Sequence, residues 1–133
     1  IRENKLFAGY DKKRKCRIVD EKKLCSILIK KIKAMGKSKL KGIIIDSHLS
    51  HYLPKRHVDL CIITKCNLRA LEKRLKKRGY KKEKIRENID AEIFDICQAE
   101  AVEKGHTIIA VDTSNEIENK VIKQIAALLN YVI

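Results

Sequence analysis

The chain has 133 residues, 44% hydrophobic and 36% charged, a composition typical of one soluble domain with a single core. Its 31 Lys and Arg against 17 Asp and Glu give a net charge of +14, which favours polyanionic partners such as nucleotides or RNA. The apolar stretches are far shorter than the ~20 residues of a membrane span. We therefore expect neither a membrane segment nor a signal peptide.

Cysteine and histidine spacing bears on redox state and on metal binding. The five cysteines are odd in number and form no CxxC pair, which favours free thiols in a reducing compartment. A zinc site is the alternative, and its nearest candidate ligands are His48 and His51, with His57 farther along.

The first half of the chain predicts a strand, a helix and a second strand. Residues 16–19 form a short apolar run, and residues 21–35 repeat apolar side chains with helical spacing. Gly36 is the expected left-handed cap of that helix. The run "GIIID", residues 42–46, predicts a buried strand that ends at Asp46.

The second half alternates strands and helices. Residues 58–64 predict a strand, and residues 67–78 a helix that stops at Gly79. A single long helix is expected over residues 85–103, and "HTIIAVD" is the next strand. The leucines expected to face inward from the first of these helices are Leu68, Leu71 and Leu75, and the isoleucine stripe of the long helix is Ile85, Ile89, Ile93 and Ile96.

The last helix is predicted to open on a capping box, "TSNE" at residues 113–116. Its expected inward side chains are Val121, Ile125, Leu128 and Val132. Strands that alternate with helices indicate an α/β fold with a three-layer parallel sheet, in which ligands bind beyond the carboxyl ends of the strands. Asp46, His48 and the segment after Val111 follow such ends, so a site is expected there.

One tripeptide imitates a phosphate-binding loop. Gly36, Lys37 and Ser38 could end the motif G-x-x-x-x-G-K-[ST], but position 31, where a glycine is required, holds Lys31. A phosphate loop also joins a strand to a following helix, whereas here the helix comes first. We therefore do not assign these residues to phosphate binding.

Four segments together resemble the small adenylate kinases of archaea and eukaryotic nuclei, the adenylate kinase isoenzyme six type. They are "IRENKLFAGYDKKRKCRIVDE", "IIIDSH", "LEKRLKKRGY" and "IRENIDAEIFDIC", and they span nearly the whole chain. The resemblance implies a P-loop nucleoside-monophosphate-kinase-like fold whose first strand and phosphate loop are missing from these residues. It also implies one domain over residues 1–133, with residues 1–19 as the monophosphate-binding element and residues 77–87 as the lid.

The resemblance further implies transfer of the ATP γ-phosphate to AMP, with ATPase activity linked to small ribosomal subunit maturation. Asp46 resembles the carboxylate that holds Mg²⁺ through water, and His48 the histidine that positions a nucleophile. Arg74 and Arg78 resemble the arginines that bind ATP, and Arg2 the arginine that binds AMP. The structural alternatives are a histidine that caps a turn and a solvated basic helix face.

The absence of a phosphate-binding loop bears on the completeness, activity and stability expected of this chain. We expect it to be a fragment of a longer protein, inactive in phosphoryl transfer by itself and poorly stable, because two buried strands would lack a central neighbour. The expected partners are ATP, AMP and, from the resemblance, a ribosomal protein and rRNA of the small subunit. The expected location is the cytoplasm, or the nucleus in a eukaryote.

Clustered charge supports a different class of function, an RNA- or ribosomal-protein-binding assembly factor without phosphotransfer by this chain. Between Glu72 and Arg86 lie nine Lys or Arg and two acids, and residues 30–41 carry six lysines and no acid. The small number of aromatic residues argues against single-strand base stacking. A kinase for another small nucleotide is a third possibility, because phosphate contacts do not identify the base.

Overall fold

The computed structural model describes residues 6–12, 16–36 and 42–129, and only the backbone of Cys16 and Arg17. The chain divides into two compact units, Ile1–His57 and Val58–Ile133. Among the described residues, no helix combines the length and the apolar character needed to cross a membrane. Arg2 and Val132 lie outside the described residues.

The first unit opens with an antiparallel hairpin. Strand β1 (Phe7–Asp11) pairs with strand β2 (Cys16–Val19), and the register shifts between Phe7 and Gly9. The prediction of a strand at residues 16–19 is confirmed, whereas β1 was not predicted. Leu6, only 2% exposed, accepts a backbone hydrogen bond from Asp20 and so ties the start of the hairpin to the residue that follows it.

Helix α1 (Glu21–Met35) has the predicted bounds. Asp20 caps it by accepting a hydrogen bond from the Lys23 amide at 3.0 Å, and Leu24 is its buried anchor. The predicted left-handed cap is wrong. Gly36 has φ −62° and continues the right-handed turn, donating to the Ile32 carbonyl, so its freedom to adopt positive φ is not used.

Residues 42–47 form no strand, which corrects the prediction for "GIIID". Ile44 is 96% exposed. Apolar runs become strands only when a neighbouring strand supplies ladder hydrogen bonds and covers their side chains, and no described residue pairs with this run. The chain then makes two short 3-10 turns, Ser50–Tyr52 and Lys55–His57, around the buried Leu53.

A two-stranded parallel sheet organises the second unit. Strands β3 (Cys61–Lys65) and β4 (Ile108–Asp112) pair from Cys61 opposite Ile108 to Lys65 opposite Asp112. Both strands were predicted, although β3 begins and ends later than the predicted range of residues 58–64. A parallel strand pair among helices confirms the predicted α/β class. Cys61 and Ile63 pack with the fully buried Ala101 in the core of this unit.

Helix α2 (Leu68–Lys77) closely matches the predicted range. The Asn67 side chain caps it by accepting from the Ala70 amide at 2.8 Å. Leu75 is 3% exposed, but Leu68 is 41% exposed, so its predicted inward position is wrong. Gly79 ends the helix in the left-handed region, with φ +74°.

The predicted single helix over residues 85–103 is in fact two, α3 (Lys82–Ile93) and α4 (Ile96–Glu103). Asp95 separates them with φ +51°, a conformation that Asp tolerates better than most residues. Ile85 is buried as predicted, whereas Ile93 and Ile96 beside the break are exposed. The spacing of apolar residues could not locate the break, because Asp95 is held by Lys65, which is distant in sequence.

Helix α5 (Asn119–Leu128) begins later than the predicted capping box implies. Its cap position is Glu118, which makes no side-chain capping bond, so the capping-box prediction is wrong. The hydroxyls of Thr113 and Ser114 instead bond to the ends of β3 and β4. Val121 and Ile125 are half-buried, but Leu128 is 57% exposed.

The two helix-ending glycines provide a matched stability test. Gly79→Ala should lower the free energy of unfolding by about 1 kcal/mol, because an L side chain at φ +74° is strained even though no atom lies within 4 Å of its added Cβ. Gly36→Ala, at φ −62°, should be neutral or stabilising. Urea unfolding of the full-length protein measures both, and equal effects would contradict the role of φ.

Candidate functional site: the carboxyl edge of the parallel strands

Polar residues meet where β3 and β4 end. The last strand pair is Lys65 with Asp112, and the chain continues from them through Cys66–Asn67 and Thr113–Ser114. We call these six residues the carboxyl edge. Parallel strands bring their carboxyl ends to one side of a sheet, which is where open α/β folds bind ligands. The predicted site after Val111 lies here.

Thr113 prolongs the pairing of the two strands. Its amide donates to the Lys65 carbonyl at 2.7 Å, and its hydroxyl donates to the same oxygen at 2.9 Å. The Arg74 guanidinium, from α2, donates to the Thr113 carbonyl and hydroxyl and to the Cys66 sulfur at 3.3 Å. Arg74 is therefore held at the carboxyl edge by three contacts while remaining exposed.

Asp112 and Ser114 connect the end of β4 to the start of α2. The Ser114 hydroxyl and amide both donate to the Asp112 carboxylate, and the Asn67 amide donates to the Ser114 hydroxyl at 2.8 Å. The side-chain and backbone hydrogen bonds from Ser114, assisted by the positive charge of Arg74, hold the pKa of Asp112 below its usual range. The carboxylate consequently stays charged well into acidic conditions.

Lys65 anchors the break between α3 and α4. Its ammonium binds Asp95 and lies 3.4 Å from Glu92, while Glu92 also accepts from the Cys66 amide at 3.0 Å. The hydrogen bond with Asp95 and the charge of Glu92 raise the pKa of Lys65. The resulting stabilisation is present below the unfolded pKa of Lys65 and is lost only as the pH rises through the higher folded value.

The sequence-predicted arginines are partly brought to this site. Arg74 contacts the carboxyl edge directly, whereas Arg78, four residues on, is the exposed final cap of α2. Arg2 lies outside the described residues. Asp46 and His48 belong to the first unit, where both are exposed, Asp46 in a stretch without regular secondary structure and His48 in a turn.

The zinc alternative gains no support from the described residues. Within residues 6–12, 16–36 and 42–129, no three His, Cys, Asp or Glu side chains gather in a metal-holding group. Cys25, Cys61, Cys66 and Cys97 are free thiols. Burial raises the pKa of both Cys61 and Cys97, so these two remain protonated near neutral pH.

Sequence reasoning missed Lys65, Glu92 and Asp95. A lysine directly after a buried strand was a usable signal, equivalent to the one that singled out Asp46. Its acidic partners, Glu92 and Asp95, gave no such signal, because the sequence pattern presents them as ordinary polar positions of one continuous helix. Thr113 and Ser114 were noticed, but they were assigned to a helix cap.

The chain is similar in sequence to a known domain family and to several adenylate kinases. A family model described as an AAA domain matches residues 1–95. The chain is 36% identical to "Putative adenylate kinase" of Methanocaldococcus jannaschii, over 96% of this chain and 67% of that protein. It is 34% identical to "Adenylate kinase isoenzyme 6 homolog FAP7" of Saccharomyces cerevisiae, over 96% of this chain and 62% of that protein.

A relative from Pyrococcus abyssi, also named "Putative adenylate kinase", is 37% identical over 67% of this chain and 48% of its own length. The chain thus spans about half of that relative's length. These similarities agree with the α/β arrangement of the chain, and they assign no role to an individual residue.

Thr113 offers a direct test of the carboxyl edge. Thr113→Val keeps the shape of the side chain but removes the hydroxyl that bonds to Lys65 and Arg74, and should lower the free energy of unfolding by about 1–2 kcal/mol. Thr113→Ser retains the hydroxyl and should cost less than about 0.5 kcal/mol. Urea unfolding compares the two, and indistinguishable variants would contradict a structural role for this hydroxyl.

Proposed function

The chain belongs to the family of the archaeal adenylate kinases and the adenylate kinase isoenzyme 6 homologues, and from this premise we propose that the whole protein transfers the ATP γ-phosphate to AMP. We extend the proposal to ATP hydrolysis coupled to small ribosomal subunit maturation. The observation that carries the phosphotransfer proposal is the carboxyl edge, where a guanidinium and two hydroxyls converge beyond two parallel strands.

Arg74 and Arg78 are the proposed ATP-binding residues. Phosphoryl transfer depends on positioning and on cations over the transferring group, and a planar guanidinium binds phosphate oxygens in a bidentate manner. Arg74 presents its charge at the carboxyl edge, and Arg78 follows it by four residues on the same helical face. Arg2 is the proposed AMP-phosphate residue, by resemblance alone.

Asp46 and His48 are the proposed catalytic pair. The exposed Asp46 carboxylate suits Mg²⁺, which binds hard oxygen ligands and commonly uses one or two carboxylates beside substrate phosphates and water. Bound Mg²⁺ would neutralise charge on the phosphates. His48, two residues on in an exposed turn, positions the attacking hydroxyl or water and accepts its proton.

We propose that the phosphate-binding loop comes from outside these 133 residues. The motif G-x-x-x-x-G-K-[ST] does not occur in them, and phosphoryl transfer by P-loop kinases requires its backbone amides and lysine. The greater length of the relatives is consistent with this. We propose that the 133 residues act as one domain, residues 77–87 forming its lid, within a longer enzyme.

The proposed partners beyond ATP and AMP are a ribosomal protein and rRNA of the small subunit, in the cytoplasm or, in a eukaryote, the nucleus. The net charge of +14 supports an RNA-bearing partner. Another nucleoside monophosphate could replace AMP, because the contacts proposed here involve phosphates. Assaying ADP formation with AMP, CMP, UMP and GMP distinguishes these substrates.

A length comparison tests the origin of the phosphate loop. The 133-residue chain should form no ADP from ATP and AMP above background, whereas the natural full-length protein should do so. Coupled detection of ADP at saturating Mg²⁺ measures both. Equal turnover by the two proteins would overturn the need for an outside loop.

Substitution of His48 tests the catalytic assignment. His48→Asn in the full-length protein should reduce the turnover number by about 10²- to 10⁴-fold, because a positioned proton acceptor is lost. His57→Asn is the matched control, since His57 accepts from its neighbour Arg56 and has no assigned role. Circular dichroism verifies folding, and turnover unchanged in His48→Asn would remove His48 from the mechanism.

A further inference from the structure

A group of exposed cations surrounds the turn between α2 and α3. Its members are Lys73, Lys77, Arg78, Lys81 and Lys82. We call this group the basic corner. Lys73 and Lys77 lie four residues apart on one face of α2, and the other three follow within five positions. Five positive charges are therefore concentrated at one end of a packed helix pair.

The basic corner differs from its neighbours in ion pairing. Lys76 pairs with Glu72 at 2.6 Å, Lys84 with Glu87 at 3.0 Å, and Arg86 with Asp90 at 3.6 Å. No member of the basic corner forms an ion pair with any residue in the described ranges. Their mutual repulsion is not balanced there, and the resulting positive potential favours a polyanion.

The turn places an aromatic ring among these cations. The Gly79 amide donates to the Lys76 carbonyl at 2.9 Å and the Tyr80 amide to the Leu75 carbonyl at 3.2 Å, the two bonds of a Schellman motif. Leu75 is buried, so the motif is anchored in the core of this unit. Tyr80 is nevertheless 43% exposed, with Arg78 and Lys81 on either side of Gly79 and Tyr80 in the chain.

We propose that the basic corner binds single-stranded RNA, with its cations on successive phosphates and one base stacked on Tyr80. Lysine-rich surfaces suit phosphate contacts, whereas lysine is depleted in the cores of protein interfaces. An exposed ring among cations matches the way in which proteins hold unpaired bases. A single ring stacks a single base, so most of the affinity is assigned to the phosphate contacts.

The RNA surface deepens the proposed rRNA partnership and rests on it, but it does not depend on phosphotransfer. Arg74, on the same helix, is engaged with Thr113 at the carboxyl edge, whereas the lysines of the corner contact no described acid. Helix α2 therefore offers Arg74 to the proposed nucleotide site and its lysines to RNA, whereas Arg78 is assigned to both and is left unchanged in the test. Loss of RNA binding and loss of turnover can be measured independently.

The test uses the full-length protein and a fluorescein-labelled oligouridine of about 20 nucleotides, a length that exceeds common single-strand sites. Replacing Lys73, Lys77, Lys81 and Lys82 by Gln should weaken binding by at least about tenfold. It should also flatten the slope of log K against log salt by about 3, since each single-strand phosphate contact contributes about 0.7. Fluorescence anisotropy across a salt series gives both quantities.

A matched variant removes the same charge elsewhere. The exposed lysines Lys22, Lys55, Lys120 and Lys123 are replaced by Gln. This control should change the salt slope by less than about 1 if binding is localised at the basic corner. An equal loss in the two quadruple variants would show that net charge alone attracts RNA and would overturn the proposal.

Tyr80 tests the stacking contact and the preference for an unpaired strand. Tyr80→Phe should retain affinity, whereas Tyr80→Leu, which keeps an apolar side chain in the turn, should lose roughly tenfold. The same oligonucleotide annealed into a duplex should bind more weakly and without dependence on residue 80. Equal affinity of the Phe and Leu variants for the single strand would overturn the stacking contact.

Two competitors separate the remaining partners. Polyglutamate of matched charge should displace the oligouridine poorly, and equal displacement would identify an acidic protein surface as the partner. Saturating Mg·ATP should leave oligouridine bound, and complete displacement would assign these lysines to the nucleotide alone. Turnover by a Lys73→Gln variant, whose position lies outside the proposed lid of residues 77–87, separates loss of RNA binding from failure of the proposed kinase activity.

Discussion

The second unit depends on the parallel pairing of β3 with β4. Parallel neighbours cannot be joined by a tight turn, so the chain between them forms α2, α3 and α4 before it returns. The pairing also brings Lys65 and Asp112 to the same edge, where Thr113 adds two more bonds to the Lys65 carbonyl. Because the strands are parallel, their polar carboxyl ends lie at one edge of the sheet. In the core of this unit, Ala101 of α4 packs next to β3.

The sheet as described has two strands, and its incomplete cover is visible at Ile62 on β3, which is 43% exposed. In the first unit Ile44, which lies in no strand, is 96% exposed. Burial of such side chains contributes roughly 1.5–3 kcal/mol each, so their exposure forgoes a large stabilisation. Branched apolar residues are selected for sheets covered on both faces, a pattern typical of nucleotide-kinase folds in which further strands and helices pack against them.

Two populations of basic side chains coexist along the same segment. Lys65 and Arg74 are immobilised by hydrogen bonds, and they order the loops at the carboxyl edge. The lysines of the basic corner have no acidic partner in the described part of the chain. The charge of Lys65 is compensated by Asp95 and Glu92, whereas the unpaired charges of the basic corner act at the range of the Debye length. The two proposals thus assign a nucleotide and a polymer to different side chains of one helix.

The sequence by itself determined the elements whose causes are local. Asp20 and Asn67 accept hydrogen bonds from amides three residues on, Gly79 supplies a left-handed turn, and apolar spacing predicted α1, α2, β3 and β4. The sequence also indicated that a site follows Val111. Only the tertiary structure decided the break at Asp95 and the use of Thr113, because Lys65 and Arg74 reach them across 30 and 39 residues. It also decided that residues 42–47 form no strand, since a strand requires a neighbour that local sequence cannot supply.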